Sequence, residues 1–168
     1  MSNEIVNRVA NSNLITIDLA DYSPKKSIVE FDIKDFLFEG IVLKEKEFRT
    51  ALKELNFAKY QDKAIALFCS SDAIVPMWAY MLVTSYLNPI SEVYFGTKKE
   101  VFNNLLLANI ENINADDYTN AKVIVKGCGH IPISEQMYIA ITKKLQNNVS
   151  SLMFGEACSA VPVFKKKK

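Results

Sequence analysis

Hydrophobic positions in the second half of the chain switch repeatedly between two spacings, and the switching predicts the architecture. Ala64 to Cys69 (AIALFC) is an unbroken apolar run of strand length. After a Ser-Ser-Asp turn, Met77 to Leu87 is apolar at helical length until Asn88 and Pro89 stop it. Glu92 to Phe95 (EVYF) repeats the strand signal and Gly96 breaks it. Lys98 to Ile113 then places Val101, Leu105, Ala108 and Asn112 on one helical face, with Phe102, Leu106 and Ile110 beside them. The unit recurs once more: Lys122 to Val125 (KVIV) precedes Gly127, Glu135 to Leu145 reads as a helix, and Leu152 to Phe154 (LMF) precedes Gly155.

Strands separated by helices imply βαβ crossovers, and so an α/β fold with a mostly parallel, mixed sheet and helices on both faces. The first sixty residues read differently. Leu14 to Leu19 (LITIDL) and Ile28 to Ile33 (IVEFDI) are strand-like on either side of Ser23-Pro24, and Glu45 to Leu55 is an amphipathic helix. The expectation is an N-terminal hairpin, or edge strands, added to the sheet. No Pro/Gly/Ser-rich linker interrupts the chain, only the polar loop Asn112 to Ala121, so residues 1–168 are read as a single α/β domain.

Composition narrows the function classes. With 168 residues the chain is long enough to bury a core without a disulfide or metal to hold it, so a metal would serve function. Twenty basic side chains against nineteen acidic ones leave a net charge of +1, no footprint for nucleic acid; the terminal lysines Lys165 to Lys168 are too local to change that and read as a solvated tail. The longest uncharged apolar run, Ala73 to Leu87, is too short to span a bilayer, which needs about 20 residues. The start, MSNEIVNRVANSN, has no basic region followed by an apolar stretch and a cleavage site, so the expectation is a cytoplasmic protein without membrane association.

The candidate chemistry lies in three cysteines, Cys69, Cys128 and Cys158, an odd number at wide spacing that does not suit a disulfide framework. Each follows a predicted strand. In an open parallel sheet the carboxyl ends of the strands share one edge, where ligand crevices form, and neighbouring strands are only about 4.8 Å apart. Cys128 to Pro132 and Cys158 to Pro162 also share the pattern C-x-x-[IV]-P, and Cys69 to Pro76 is a longer relative. Proline fixes its own φ and drives the preceding residue toward extended geometry, so such a turn can hold a thiol in a set direction.

One reading is a three-thiolate site for zinc, iron or an iron–sulfur cluster, the ions that thiolates select. His130, the single histidine, and the carboxylates Asp72 and Glu156 are possible further ligands. Asp72 is read first as a cap of the helix after it, and His130 equally as a surface turn residue. A second reading is a thiol-dependent enzyme, or a redox or persulfide carrier, using one of the same cysteines; the sequence leaves enzyme activity open. A third is a non-catalytic interaction protein with buried structural thiols. Helix Met77 to Leu87 is apolar on nearly every side, which fits deep burial or packing on a second subunit in a homodimer. No dinucleotide, P-loop or G-x-S-x-G pattern is present.

The segments FCSSDAIVPMWAYM (Phe68 to Met81), VIVKGCGHIPIS (Val123 to Ser134) and FGEACSAVP (Phe154 to Pro162), with FDIKDFLFEGIVLKEKEFR (Phe31 to Arg49), make the chain resemble a Bacteroidetes family labelled domain of unknown function 2480, DUF2480. Its C-S-x-D-A-I-V-P, G-C-G and G-E-x-C-S-x-V-P blocks match Cys69 to Pro76, Gly127 to Gly129 and Gly155 to Pro162. The resemblance brings no activity. It implies a neighbourhood of iron–sulfur assembly proteins as partners, and it places His130 where other members carry different residues, including lysine.

Overall fold

A computed structural model describes residues 14–127 and 131–167; Cys128 and His130, both candidate ligands, lie outside the described residues. The strands are β1 (Leu14–Asp18), β2 (Ile28–Asp32), β3 (Ala64–Phe68), β4 (Glu92–Phe95), β5 (Lys122–Lys126), β6 (Ser151–Phe154) and β7 (Val161–Lys165). The helices are α1 (Glu45–Glu54), α2 (Met77–Leu87), α3 (Lys98–Glu111) and α4 (Glu135–Leu145). The α/β class is as expected, but the strands divide between two sheets, one ordered β1-β5-β6-β7 and the other β2-β3-β4. All pairings are parallel except β6 with β7.

The N-terminal hairpin does not form. β1 pairs in parallel with β5 and β2 in parallel with β3, so each is the edge strand of a different sheet. The Ser-Pro junction joins two strands that never meet in register; proximity in sequence suggested a hairpin, whereas the apolar partners come from after the crossover helices. β7 is not among the expected elements, and its last residue, Lys165, reads in sequence as part of a solvated tail. It is an edge strand, and Pro162 pairs with Met153 beside a shift in register, both settings in which a sheet tolerates proline.

The chain forms two compact units, Pro24–Asn104 and Met1–Ser23 with Leu105–Lys168. In the first, the three-stranded sheet packs on an aromatic-rich cluster in which Phe31, Phe48, Leu52, Ile65 and Leu67 are all buried. β3 is buried at Ala64, Ile65, Ala66 and Leu67, so both of its faces are covered, which explains why it reads as a continuous apolar run. In the second, β5 is likewise buried at Val123, Ile124 and Val125, while Met137, Ile141 and Leu145 form the buried face of α4.

The two units repeat one plan. β2-α1-β3-α2-β4 corresponds to β1, the C-terminal part of α3, β5, α4 and β6. Asp32 and Asp18, each ending the first strand, cap a short 3-10 turn by accepting the N–H of Lys34 at 2.9 Å and of Ala20 at 3.0 Å. Asn56 and Asn114 cap the turns before the second strand. Buried Phe48 and Leu52 precede Asn56 at the same distances as buried Leu106 and Ile110 precede Asn114. Asp62 and Asn120 then share positive φ angles of 57° and 60° and donate to Ile90 O at 2.9 Å and Asn148 O at 2.8 Å. In the second helix of each unit a threonine hydroxyl donates to a tyrosine carbonyl four residues back, Thr84 to Tyr80 and Thr142 to Tyr138. Those tyrosines meet Phe95 and Phe154 edge-on, at ring-centroid distances of 5.8 and 5.5 Å.

Candidate functional site

The expected common edge for the cysteines becomes two edges. Cys69 directly follows β3 of the three-stranded sheet, Cys158 lies in the turn after β6 of the four-stranded sheet, and Cys128 in sequence follows β5 of that same sheet. By register, Val125 pairs with Phe154 as Leu67 pairs with Phe95, so Cys69 corresponds to Gly127, and Cys128 to Ser70.

At the first edge, Asp32 is the last residue of β2 and pairs with Phe68, which puts its carboxylate beside the chain entering Cys69. It accepts the Ser70 N–H at 3.0 Å as well as the Lys34 N–H, tying the cysteine loop to the neighbouring strand end. Partial burial would raise this carboxyl. The hydrogen bonds from the Ser70 hydroxyl and from the two backbone N–H groups, with the Lys34 charge, outweigh burial and hold it below the ordinary aspartate value. The Tyr80 hydroxyl faces the same spot and is raised, first by burial and then by the charges of Cys69 and Asp32. Cys69 itself is half-buried against the core.

Asp72 does not cap α2. The helix begins after Pro76 with no side-chain cap, and it is the Ser71 hydroxyl that accepts the Ala73 N–H at 3.3 Å. A proline before Met77 supplies extended geometry at the helix entrance instead. Asp72 lies exposed in an open groove of about 460 Å³ with Ile41, Val42 and Ile74.

Asp32→Ala removes both a cap and the tether of the Cys69 loop, and the expected cost is about 1–2 kcal/mol. Because the folded-state carboxyl is lowered, its contribution is present above the unfolded aspartate value and fades as pH falls through the lower folded value. Urea unfolding between pH 7 and pH 3 should therefore show the gap between wild type and variant closing in acid. Alkylation of Cys69 should be faster in the variant at neutral pH. A gap as large at pH 3 as at pH 7 would contradict this account.

At the second edge, Gly155 ends β6 with φ at 111° and its N–H donates to Val125 O at 3.0 Å. The chain then turns, Ser159 N–H donating to Glu156 O at 2.9 Å, and leaves Cys158 exposed with Sγ 4.0 Å from Ser159 Oγ. Lys126 Nζ lies 3.4 Å from Glu156 Oε1 and 3.8 Å from Asp18 Oδ2, so Glu156 is engaged with a lysine. Gly127 also has a packing reason: a Cβ there would overlap the Tyr138 hydroxyl. Gly155→Ala puts a side chain at a φ that L-residues avoid, although the nearest atom, Ser159 O, would be an ordinary 3.6 Å away. The cost is conformational, about 1–2 kcal/mol in urea unfolding; an unchanged midpoint would contradict it.

Among the described residues, no three His, Cys, Asp or Glu side chains stand together as a metal-binding group. No helix among them is long and apolar enough to cross a membrane. The residues that sequence reading passed over are Asp32 and Lys126, which organise the two edges. The signal for Asp32 was an aspartate closing an apolar strand just before a turn.

A family model described as "Protein of unknown function (DUF2480)" matches residues 3–166. No curated protein and no solved structure matches the chain.

Proposed function

The chain belongs to the DUF2480 family, and from that premise we propose that it binds a thiophilic metal ion, zinc or iron, or an iron–sulfur cluster, through Cys128 and Cys158, as a cytoplasmic accessory to iron–sulfur metabolism. One observation carries the reading. β5 and β6 are parallel neighbours whose last paired residues are Val125 and Phe154, and each leads into a C-x-x-[IV]-P segment. Neighbouring strands are about 4.8 Å apart, and three residues of chain beyond Val125 reach at most about 10 Å, so the sequence between strand end and Cys128 is short enough to keep both thiols at one edge. Thiolates select these ions over magnesium or calcium. Exposure of Cys158 leaves its thiol open to an incoming ion or cluster donor.

The test is metal and acid-labile sulfide content of protein purified without oxygen, for wild type and for Cys69→Ser, Cys128→Ser and Cys158→Ser. Stoichiometric metal lost in both the Cys128 and Cys158 variants is the expected result. Additional loss in Cys69→Ser makes the site three-thiolate. Metal-free wild type, or metal retained in Cys158→Ser, overturns the reading, and rapid alkylation of Cys158 in that metal-free protein would favour thiol chemistry.

A second reading, self-association, is favoured by α2. Ala79, Val83 and Leu87 are buried, but Met77 and Met81 are 75% and 72% exposed on a helix with no charged residue. The all-round burial expected for this helix is therefore incomplete. A dimer in sedimentation equilibrium that Met81→Glu converts to monomer would support this; a monomeric wild type would count against it.

A further inference from the structure

In the four-stranded sheet, α4 is the crossover between β5 and β6 and so covers that pair. β7 joins β6 antiparallel through the short loop 155–160, a connection that needs no helix, so the sheet gains a strand without gaining cover. The result is a groove of about 400 Å³ along the flank of α4, lined by Tyr138, Ile139 and Thr142 from the helix and by Leu152, Phe154 and Val163 from the strands. Ile139, Phe154 and Val163 are 56%, 46% and 55% exposed. In the other unit the corresponding Met81 and Phe95 are likewise exposed, Phe95 as the last residue of β4.

Lysines gather at one end of the groove on the four-stranded sheet. Lys143 lines it, and Lys144 is next to it in the last turn of α4. Lys165 pairs with Ser151 at the amino end of β6, the end that α4 runs toward, and the Lys166 N–H donates to Ser150 O at 3.0 Å. None of these four lysines makes an ion pair among the described residues. Asp116 and Asp117 precede β5, and their carboxylates accept from the Asn148 and Asn114 amides at 3.0 and 2.9 Å. At the opposite end Glu156 is engaged with Lys126.

We propose that this groove docks an amphipathic helix of a partner protein, apolar along its middle and acidic at the end that meets Lys143, Lys144, Lys165 and Lys166. A slot bounded by a helix flank and an uncovered sheet face has the shape that the next helix of the layer would fill, and helix-in-groove binding is read through apolar residues at i, i+3, i+4 and i+7. Charge complementarity sets the direction of the bound helix. It also argues against a second copy inserting α2, the chain's own exposed apolar helix, because α2 carries no acidic residue to meet the lysines.

The test uses a fluorescein-labelled designed peptide of about 14 residues, with leucine at those helical positions and three glutamates at one end, and a twin with lysines in place of the glutamates. Full-length protein should bind the acidic peptide saturably and at least about tenfold more tightly than its twin, with the difference shrinking as salt is raised. Lys143→Glu with Lys166→Glu should remove the preference. Ile139→Asp, a change at an exposed position that leaves the core intact, should remove binding of both peptides. Equal affinity for the two peptides, undiminished binding by Ile139→Asp, or no saturable binding overturns the proposal. So does binding to phosphatidylglycerol vesicles without peptide binding, or a self-association that Ile139→Asp abolishes.

Discussion

Phe48→Ala should destabilise the protein by about 3–5 kcal/mol, a large share of the roughly 5–15 kcal/mol that holds a domain of ordinary stability together. Phe48 is 1% exposed and sits in the middle of a run of aromatic contacts. Tyr60 packs on Phe31, Phe31 stacks on Phe36 at 5.5 Å, Phe36 meets Phe48 edge-on at 5.3 Å, and Phe48 leans on Trp78 at 6.1 Å. The run links β2, the turn after it, α1 and α2, so truncation opens a cavity that no single element can close by shifting. Phe48→Leu keeps most of the volume and should cost only about 1 kcal/mol. Trp78 is the single tryptophan, and its fluorescence reports on this cluster directly during urea unfolding. A Phe48→Ala loss below about 1 kcal/mol would mean that the cluster does not hold this unit together.

The same cluster shows what a sequence can disclose. β3 and β5 were legible because a strand buried on both faces must be apolar throughout, and α2 was legible because asparagine and proline end an apolar segment of helical length. The partition into two sheets was not legible. Strand signals carry no partner identity, so Leu14–Asp18 and Ile28–Asp32 looked like a local hairpin although each pairs with a strand beyond a helix. The internal repeat was present in the letters, as Asn56 and Tyr60 against Asn114 and Tyr118, and as Tyr80, Thr84, Leu87 and Phe95-Gly96 against Tyr138, Thr142, Leu145 and Phe154-Gly155. It was hidden because only scattered positions repeat, while most of the apolar residues between them vary at similar volume.

That repeat also changes how the cysteines are compared. Their shared Pro-containing pattern suggested three versions of one loop, yet Cys69 stands where the other unit has Gly127, close to Tyr80 as Gly127 is to Tyr138. A thiol fits beside Tyr80, whereas a Cβ at Gly127 would overlap the Tyr138 hydroxyl. The glycine therefore secures the packing of α4 against the strand end immediately before Cys128. Cysteine at this level in one unit and one residue later in the other means that the two loops have diverged in what they present. A site built by Cys128 and Cys158 needs only the four-stranded sheet.

Binding at that site should register as stability, because an ion held by two folded strand ends finds no comparable site in the unfolded chain. Free zinc at 100 times its dissociation constant should raise the unfolding free energy by about 2.7 kcal/mol, and at 1,000 times by about 4.1 kcal/mol. The increment belongs to the ion, so it should vanish in Cys158→Ser while the metal-free stabilities of the two proteins stay close, since Cys158 is exposed and fills no core space. It should also shrink as pH is lowered, because the thiols must lose their protons to bind. This dependence is distinct from that of Asp32, whose contribution fails only in the carboxylate range. Chemical unfolding of metal-depleted protein, repeated with buffered free zinc at pH 8, 7 and 6, measures all of these terms. A midpoint indifferent to zinc would remove zinc as the ion, and a shift that survives in Cys158→Ser would remove Cys158 from the site.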